Sequence, residues 1–285
     1  MPSKRSFLVA ASLCAAAIAS SGANAADESL SRVQAAKKVV VCSSNDVPYA
    51  YKNPASGKVE GTDIDMVRAI FEPLGVPEIE LYEVPISGII SALNTSRCDM
   101  ISDNIAITVK RSEQIAFSAP MYRAGQALVV PKGNPAKIKS EGDFPGHTVG
   151  SYLGTIQLDW LNKMAAADPT ITVKAYKNIP QILAELRAGR LDAAAFDDMV
   201  AADALKNDPT LPVEILDYKM PIGDYAVGAG FRKDDVALRQ AFDEQNRQLQ
   251  LSGGLRKVLE KWACFRSSDT FRFRIAAADT DRRSP

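Results

Sequence analysis

The chain has 285 residues, 46% hydrophobic and 24% charged, so it is long enough for one large or two smaller globular domains. Its 34 basic and 34 acidic side chains balance, which leaves no surplus of positive charge for nucleic acid or an anionic membrane surface. His147 is the only histidine and has no neighbouring cysteine, which argues against a histidine-based metal site and a serine–histidine catalytic pair.

The first 25 residues have the pattern of a cleaved secretory signal. Lys4 and Arg5 precede an apolar run of small residues that ends at Ala19, and Ala23-Asn24-Ala25 is an A-x-A cleavage sequence. The apolar run is too short to span a bilayer comfortably, and no later stretch approaches the length of a transmembrane helix. We therefore expect residues 1–25 to be removed and the mature chain to be periplasmic.

Three cysteines remain after residue 25, namely Cys42, Cys98 and Cys264. In an exported chain they allow one internal disulfide and leave one thiol. Cys42 and Cys98 lie near predicted strands, where a buried free cysteine is an alternative, so the sequence leaves the pairing open.

Predicted strands and helices alternate after a polar, alanine-rich leader, which we expect to be loose over residues 26–37. The apolar spacing predicts, in order, strand 38–42, helix 64–74, strand 78–84, helix 86–93 and a strand that begins near residue 98. This order is typical of a doubly wound α/β sheet, in which ligands bind at the carboxyl ends of the strands.

The stretch from residue 98 to residue 111 carries the first candidate binding residues. Alternating apolar residues predict that its strand continues to Ile107 and ends in Thr108, Lys110 and Arg111. A guanidinium at this place matches a carboxylate with two parallel hydrogen bonds, whereas the simpler alternative for Arg111 is a surface position.

A second α/β cycle repeats the order of the first. It comprises strand 147–152, a turn at Gly154-Thr155, a helix through Met164, strand 171–176, helix 179–186 and strand 191–196, followed by Asp197 and Asp198. A late strand at 225–231 and two further helices follow, and polar residues 265–285 are expected to form a loose tail. The likeness of the two cycles predicts two similar lobes rather than an array of repeats.

Six short blocks, which together cover about residues 38–264, resemble family 3 extracellular solute-binding proteins of bacterial ABC importers. The blocks are Gly61-Thr-Asp63-Ile-Asp65-Met, Ser87-Gly-Ile-Ile-Ser-Ala-Leu93, Cys98-Asp99 to Ile107-Thr108-Val-Lys-Arg111, Phe117-Ser118-Ala-Pro120-Met-Tyr122, Gly154-Thr155 and Asp192-Ala-Ala-Ala-Phe-Asp197. Any one block is a weak signal, but six in order behind a signal sequence are specific.

The resemblance implies a type II periplasmic-binding-protein fold, an α/β structure of two lobes joined by two crossing hinge strands. It implies that lobe 1 comprises residues 38–122 and 226–264, and that lobe 2 comprises residues 123–225. The ligand is then an amino acid or related zwitterion that closes the cleft by hinge bending. The further partner implied is an ABC permease, and we expect a monomer that needs no metal or cofactor and binds no nucleic acid.

The resemblance also assigns roles to individual residues. Arg111, which follows Thr108 in the same block, matches the arginine that binds the ligand's carboxylate. Thr155, with Gly154, matches the turn whose backbone N–H faces that carboxylate, and Asp197 matches the acid that binds the α-ammonium group.

Four more predicted ligand residues depart from the family's usual lining. Ile86 and Asp46 stand where aromatic residues are common, and Asp103 and Asn104 stand where small residues are usual. Tyr49 is then expected to supply the remaining aromatic wall, with a position in the core as its alternative. The pocket is thus more acidic than is typical, which favours a polar or cationic ligand.

The main alternative is an enzyme on the same fold, of the cyclohexadienyl (arogenate/prephenate) dehydratase type. Its elimination reaction needs a positioned general acid, for which Asp46 and Asp103 are candidates. The sequence shows no paired acid and base, so we predict no catalytic residue and expect a binding protein.

Overall fold

The structure is a computed structural model that describes residues 27–262. Its strands are β1 Lys38–Ser43, β2 Tyr51–Lys52, β3 Val59–Glu60, β4 Glu78–Glu83, β5 Met100–Ile101, β6 Ala116–Phe117, β7 Tyr122–Ala124, β8 Gln126–Pro131, β9 Thr148–Tyr152, β10 Thr172–Tyr176, β11 Ala193–Asp197, β12 Val213–Ile215, β13 Tyr225–Val227 and β14 Gly230–Phe231. Its helices are α1 Ser29–Ala36, α2 Thr62–Phe71, α3 Ile89–Asn94, α4 Val109–Ser112, α5 Ile156–Ala167, α6 Ile179–Arg187, α7 Asp198–Asn207, α8 Val236–Leu251 and α9 Gly254–Trp262, and short 3₁₀ turns lie at Glu72–Leu74, Ile86–Gly88 and Glu141–Asp143.

Some predictions fall outside the part of the chain that the structure describes. The signal sequence expected at 1–25, the tail expected at 265–285 and Cys264 all lie there. Within residues 27–262, no helix has both the length and the apolar character needed to cross a bilayer.

Two five-stranded sheets form the frames of the two lobes, and they share one topology. The lobe 1 sheet has the order β4-β1-β5-β14-β6, and the lobe 2 sheet has the order β10-β9-β11-β8-β12. In lobe 1, β1 lies between the parallel strands β4 and β5, and the antiparallel β14 follows. In lobe 2, β9 lies in the same way between β10 and β11, and the antiparallel β8 follows. This arrangement places a topological switch point at the carboxyl ends of β1 and β9. The predicted two-lobe α/β fold is confirmed.

An antiparallel ribbon of β7 and β13 joins the lobes, pairing Tyr122 with Val227 and Ala124 with Tyr225. It lies where the two crossing strands were expected, while the lobe boundaries given above stay a prediction. The single strand predicted for residues 225–231 is wrong, because the chain breaks pairing between β13 and β14 as it passes from the ribbon into the lobe 1 sheet. At this break a Cβ on Gly228 would lie 2.9 Å from the side chain of Ile107.

The leader expected to be loose instead forms α1. Val33 is 1% exposed and belongs to the lobe 1 core, and the Ser29 hydroxyl accepts a hydrogen bond from the Leu238 N–H at 3.1 Å. Leu30 and Val33 share one side of the helix, three residues apart, and this short apolar stripe packs on the core despite the polar composition.

The strand predicted from residue 98 to Ile107 is also shorter than expected, because β5 ends at Ile101. Asn104 adopts a left-handed backbone conformation with φ of 49°, and its N–H donates to the Asp63 carboxylate at 2.8 Å. The Asp63 side chain of α2 thus accepts the hydrogen bond that a neighbouring strand would have accepted in the predicted strand. The chain therefore leaves the sheet and forms a loop at the cleft.

A disulfide joins Cys42 and Cys98, with 5.6 Å between the Cα atoms. It resolves the pairing that the sequence left open. The two cysteines are 56 residues apart, and closing a loop of that length stabilises the folded state by about 4 kcal/mol in the chain-entropy model. The bridge ties the end of β1 to the segment just before β5, and the loops that follow these two strands carry Asp46 and Asp103.

Candidate functional site

A cavity of about 20 Å³ lies between the lobes. Lobe 1 lines it with Asp46, Ile86, Asp103, Asn104, Ile105, Ala106 and Arg111, lobe 2 lines it with Tyr152, Thr155, Ile156, Gln157 and Asp197, and the hinge ribbon adds Tyr225. This volume is on the order of that needed by one water molecule.

Arg111 reaches across the cleft from α4. The hydroxyl of Thr108 caps this short helix by accepting a hydrogen bond from the Arg111 N–H at 3.2 Å. The guanidinium donates to the Ala106 carbonyl within lobe 1 and to the Gly154 carbonyl of lobe 2, both at 2.9 Å. Burial lowers the pKa of Arg111, but an arginine side chain keeps its charge near neutral pH.

The N-terminus of α5 faces the same cavity through Thr155, Ile156 and Gln157. The Thr155 hydroxyl accepts from the Leu158 N–H at 3.2 Å and donates to the Tyr152 carbonyl at 2.7 Å, so it acts as a cap. The first N–H groups of a helix have no partner within the helix and carry partial positive charge. Together with Arg111 they make this side of the cavity suitable for a carboxylate.

Asp197 lies at the end of β11, 2% exposed, on the lobe 2 side of the cavity. One carboxylate oxygen accepts from the Tyr225 hydroxyl and from the Gln157 amide at 2.9 Å, and the other accepts from the Tyr152 hydroxyl at 3.1 Å. Burial raises the pKa of Asp197, and these three hydrogen bonds act against that shift. The donors are all neutral, so the negative charge of an ionised Asp197 remains available to a cation.

A hydrogen-bond chain crosses the hinge beside the cavity. The Asn104 amide of lobe 1 donates to the Tyr225 hydroxyl at 2.7 Å, and Tyr225 donates to Asp197 of lobe 2. Behind Asn104, the Tyr122 hydroxyl contacts the Asp63 carboxylate at 2.7 Å. The ribbon therefore contributes polar contacts to the site as well as connecting the lobes.

Asp103 is 3% exposed and is held by Ser43, the last residue of β1, and by Ser44, which follows it. Its carboxylate contacts the Ser43 hydroxyl at 2.8 Å, and it accepts from the Ser44 N–H at 2.7 Å and the Ser44 hydroxyl at 2.6 Å. Burial nevertheless raises the pKa of Asp103 to about 7, because desolvation outweighs these hydrogen bonds.

Asp46 lies in the loop after β1, three residues beyond Ser43, and is partly buried. Its carboxylate lies 3.5 Å from the Tyr152 hydroxyl of lobe 2, which is longer than an ordinary O–H···O hydrogen bond. Burial, followed by the charges of Asp103 and Asp197, raises the pKa of Asp46 well above its usual value.

Seven of the ten predicted site residues thus line one cavity, namely Asp46, Ile86, Asp103, Asn104, Arg111, Thr155 and Asp197. Thr108 and Gly154 lie beside it and position Arg111 by capping its helix and accepting its hydrogen bond. Tyr49, expected as the aromatic wall, is not part of the lining. It is fully buried and packs with the lobe 2 core cluster that includes Phe196 and Met199, the core alternative named above. The roles of these residues toward a ligand stay predictions.

Sequence reasoning missed three polar residues of the lining, Tyr152, Gln157 and Tyr225. Tyr152 ends a predicted strand just before the Gly154-Thr155 turn, so its position at a carboxyl strand end was a usable signal. Gln157 and Tyr225 gave none, since their contacts with Asp197 join residues that are 40 and 28 positions apart.

Comparisons with known proteins agree with this architecture. The family model of bacterial extracellular solute-binding proteins, family 3, matches residues 39–265. The arginine-binding extracellular protein ArtP of Bacillus subtilis is 29% identical over 258 residues, which are 90% of this chain and 96% of ArtP.

Solved structures give the same result. An ancestral arginine-binding protein bound to arginine has 32% identity and a TM-score of 0.71, over 79% of this chain and 98% of its own. EhuB in complex with hydroxyectoine has 26% identity and a TM-score of 0.76, over 83% of this chain and 92% of its own. Because the family model spans most of the sequence, the chain belongs to the bacterial extracellular solute-binding proteins of family 3.

Proposed function

We propose that this protein captures an amino acid or a related zwitterionic, carboxylated solute in the cleft and delivers it to the permease of an ABC importer. One observation carries the proposal: opposite charges are held at opposed points of one cavity. Arg111 and the N-terminus of α5 suit a carboxylate, and Asp197 suits an ammonium group. Each charge-assisted hydrogen bond to a ligand contributes about 1.5–3 kcal/mol once water is excluded.

Family membership supports the rest of this proposal. ArtP is named for arginine, and the two solved relatives hold arginine and hydroxyectoine, which are small solutes that carry both charges. With residues 1–25 as an export signal, the protein acts in the periplasm, as a monomer that opens and closes about the ribbon of β7 and β13.

The dehydratase alternative is less well supported. An elimination needs a general acid next to a base in reach of the substrate. Asp103 is tied to Ser43 and Ser44, and Asp46 contacts only a tyrosine hydroxyl among the residues described. We therefore expect prephenate and arogenate to remain unchanged on incubation with the protein, and turnover of either compound would contradict the transport proposal.

The test is a thermal-shift screen with amino acids, opines and ectoines, followed by calorimetric titration of the solutes that raise the melting temperature. Arg111→Ala should weaken binding of the best solute by about tenfold to a hundredfold or more, since it removes a charge-assisted pair. Arg111→Lys should recover part of the loss, because lysine keeps the charge without the planar fork.

Lys110→Ala is the matched control for this substitution. Lys110 lies on the same short helix, but its side chain is 80% exposed and forms an exposed ion pair with Asp159 at 3.9 Å. Such a pair contributes little, so the control should bind like the wild type. Equal affinity of the wild type and Arg111→Ala would remove Arg111 from the site.

A further inference from the structure

The charges around the cavity exceed what a simple zwitterion neutralises. The lining holds three carboxyl groups, those of Asp46, Asp103 and Asp197, against the single guanidinium of Arg111. A neutral α-amino acid pairs one carboxylate with Arg111 and one ammonium group with Asp197. Closing the lobes over such a ligand encloses carboxyl groups that have no cationic partner, and each of them must either stay charged and unpaired or take up a proton.

Two of the three carboxyl groups are well supplied with neutral donors from the protein. Asp197 accepts hydrogen bonds from Tyr225, Gln157 and Tyr152, and Asp103 accepts from both the N–H and the hydroxyl of Ser44. These contacts offset much of the cost of burying either group.

Asp46 differs from the other two. Within residues 27–262, its carboxylate receives one side-chain contact, from the Tyr152 hydroxyl at 3.5 Å. That hydroxyl is closer to Asp197, at 3.1 Å, and its single proton serves one acceptor at a time. Of the three carboxyl groups in the lining, Asp46 therefore accepts the fewest hydrogen bonds from the protein itself.

The shared hydroxyl also fixes how far apart the two carboxylates lie. Since it contacts both, the oxygens of Asp46 and Asp197 are separated by at most the two distances laid end to end, about 6.6 Å. A ligand whose ammonium group binds Asp197 thus has Asp46 within reach of a short side chain. The apolar side chains of Ile86 and Ile105 lie along the same cavity and suit methylene groups.

We propose that Asp46 forms a second cation subsite, and that the ligand is an α-amino acid or close derivative with a second cationic group on a short side chain. This inference rests on the proposed function, because it takes Arg111 and Asp197 as the contacts of the ligand's carboxylate and ammonium group. Asp103 lies in the same lining, but its own oxygens are bound by Ser43 and Ser44, so it is not assigned to the second subsite.

The test uses calorimetric titration with matched pairs of probes. Ornithine is compared with norvaline, and arginine with citrulline, so that each pair differs mainly in the second charge. The wild type should bind the charged member of the preferred pair about tenfold to a hundredfold more tightly, the range expected for one charge-assisted contact.

The Asp46→Asn variant keeps the shape of the side chain and removes its charge. It should lose most of the preference for the charged probe, so that its affinities for the two members of a pair approach each other. Asp159→Asn, which removes an exposed acid on lobe 2 outside the lining, should keep the wild-type preference.

The outcomes separate the two proposals. Equal affinity of the wild type for both members of each pair overturns the second subsite and leaves the proposed function standing. A preference that survives Asp46→Asn overturns the assignment to Asp46. Binding of an ectoine or opine with no binding of any α-amino acid overturns the second subsite alone, whereas a failure of every zwitterionic solute in the screen to bind counts against the proposed function. The wild-type comparison needs no variant, so it decides the ligand class even if Asp46→Asn does not fold.

Discussion

Buried carboxyl groups near the cleft hold their protons at higher pH than exposed ones. Burial raises the pKa of Asp63 to about 6 and the pKa of Asp103 and Asp198 to about 7, from an ordinary value of 3.8. The nearby charge of Asp197 adds to the shift of Asp198. In the range between these values the folded protein binds protons that the unfolded chain has already released.

We expect the free energy of unfolding of the ligand-free protein to fall as the pH rises. A raised pKa in the folded state gives stability that is complete below about pH 4 and is lost as the pH passes through about 6 and 7. Asp198→Asn removes one of these groups and should flatten the decline, which denaturant titrations between pH 4 and pH 8 will measure. Asp159→Asn serves as the exposed control, and stability that rises with pH across this range would contradict the expectation.

At the scale of single residues, Arg111 and Asp197 each followed a predicted strand, and the family resemblance supplied their expected roles. Both residues line the cavity, although the strand predicted before Arg111 ends at Ile101. The partners of Asp197 were not found, because Gln157 and Tyr225 are ordinary polar residues whose role arises from the meeting of distant segments. The chemistry of Tyr49 suits both a cleft wall and a core, so the sequence left both alternatives open, and the side chain packs in the core.

At the scale of elements, the loop after β1 connects the lobes through Tyr49. The Asp46 carbonyl accepts hydrogen bonds from the N–H groups of Tyr49 and Ala50 at 2.8 and 3.0 Å. Gly61 packs against this turn so closely that a Cβ there would lie 2.0 Å from the Tyr49 carbonyl oxygen. The loop is therefore held firmly on α2, and its tyrosine side chain packs with residues of the lobe 2 core.

Replacing Tyr49 should change the closed state without touching the ligand. Tyr49→Ala removes a fully buried ring that packs against lobe 2, a type of change that costs about 3–5 kcal/mol, so ligand affinity and melting temperature should both fall. The Tyr49 hydroxyl has no hydrogen-bond partner among the residues described. Tyr49→Phe should therefore behave like the wild type in calorimetry and thermal melting, and a loss as large as that of Tyr49→Ala would show that the hydroxyl matters.

Element predictions succeeded where the apolar period was long and failed where a local contact replaced it. The strands and helices of both α/β cycles follow their apolar spacing. The strand expected beyond Ile101 does not form, because the Asp63 carboxylate accepts the hydrogen bond from the Asn104 N–H. Helix α1 forms because Leu30 and Val33 pack against the lobe 1 core. Both errors depend on tertiary contacts, which the local pattern does not contain.

At the scale of the whole molecule, the two lobes meet closely at one backbone position. Gly154, in the turn before α5, adopts φ of +88°, and a Cβ there would lie 2.8 Å from both the N and Cα atoms of Ser87 in lobe 1. The Gly154 carbonyl also accepts the hydrogen bond from Arg111. The absence of a side chain at this turn thus lets lobe 2 reach the rim of lobe 1, so that both halves of the site act together.

Gly154→Ala should hold the lobes apart. The added methyl group meets backbone atoms that cannot yield easily, so the variant should bind its solute more weakly, and X-ray scattering at saturating solute should give a larger radius of gyration than for the wild type. Gly146→Ala is the matched control, since Gly146 has φ of +79° with nothing within 4 Å of the added Cβ. Both variants carry the same left-handed strain of about 1–2 kcal/mol, which lowers the melting temperature. Only Gly154→Ala is expected to block closure of the lobes. If it binds the solute and becomes compact like Gly146→Ala, closure does not need the close contact at Gly154.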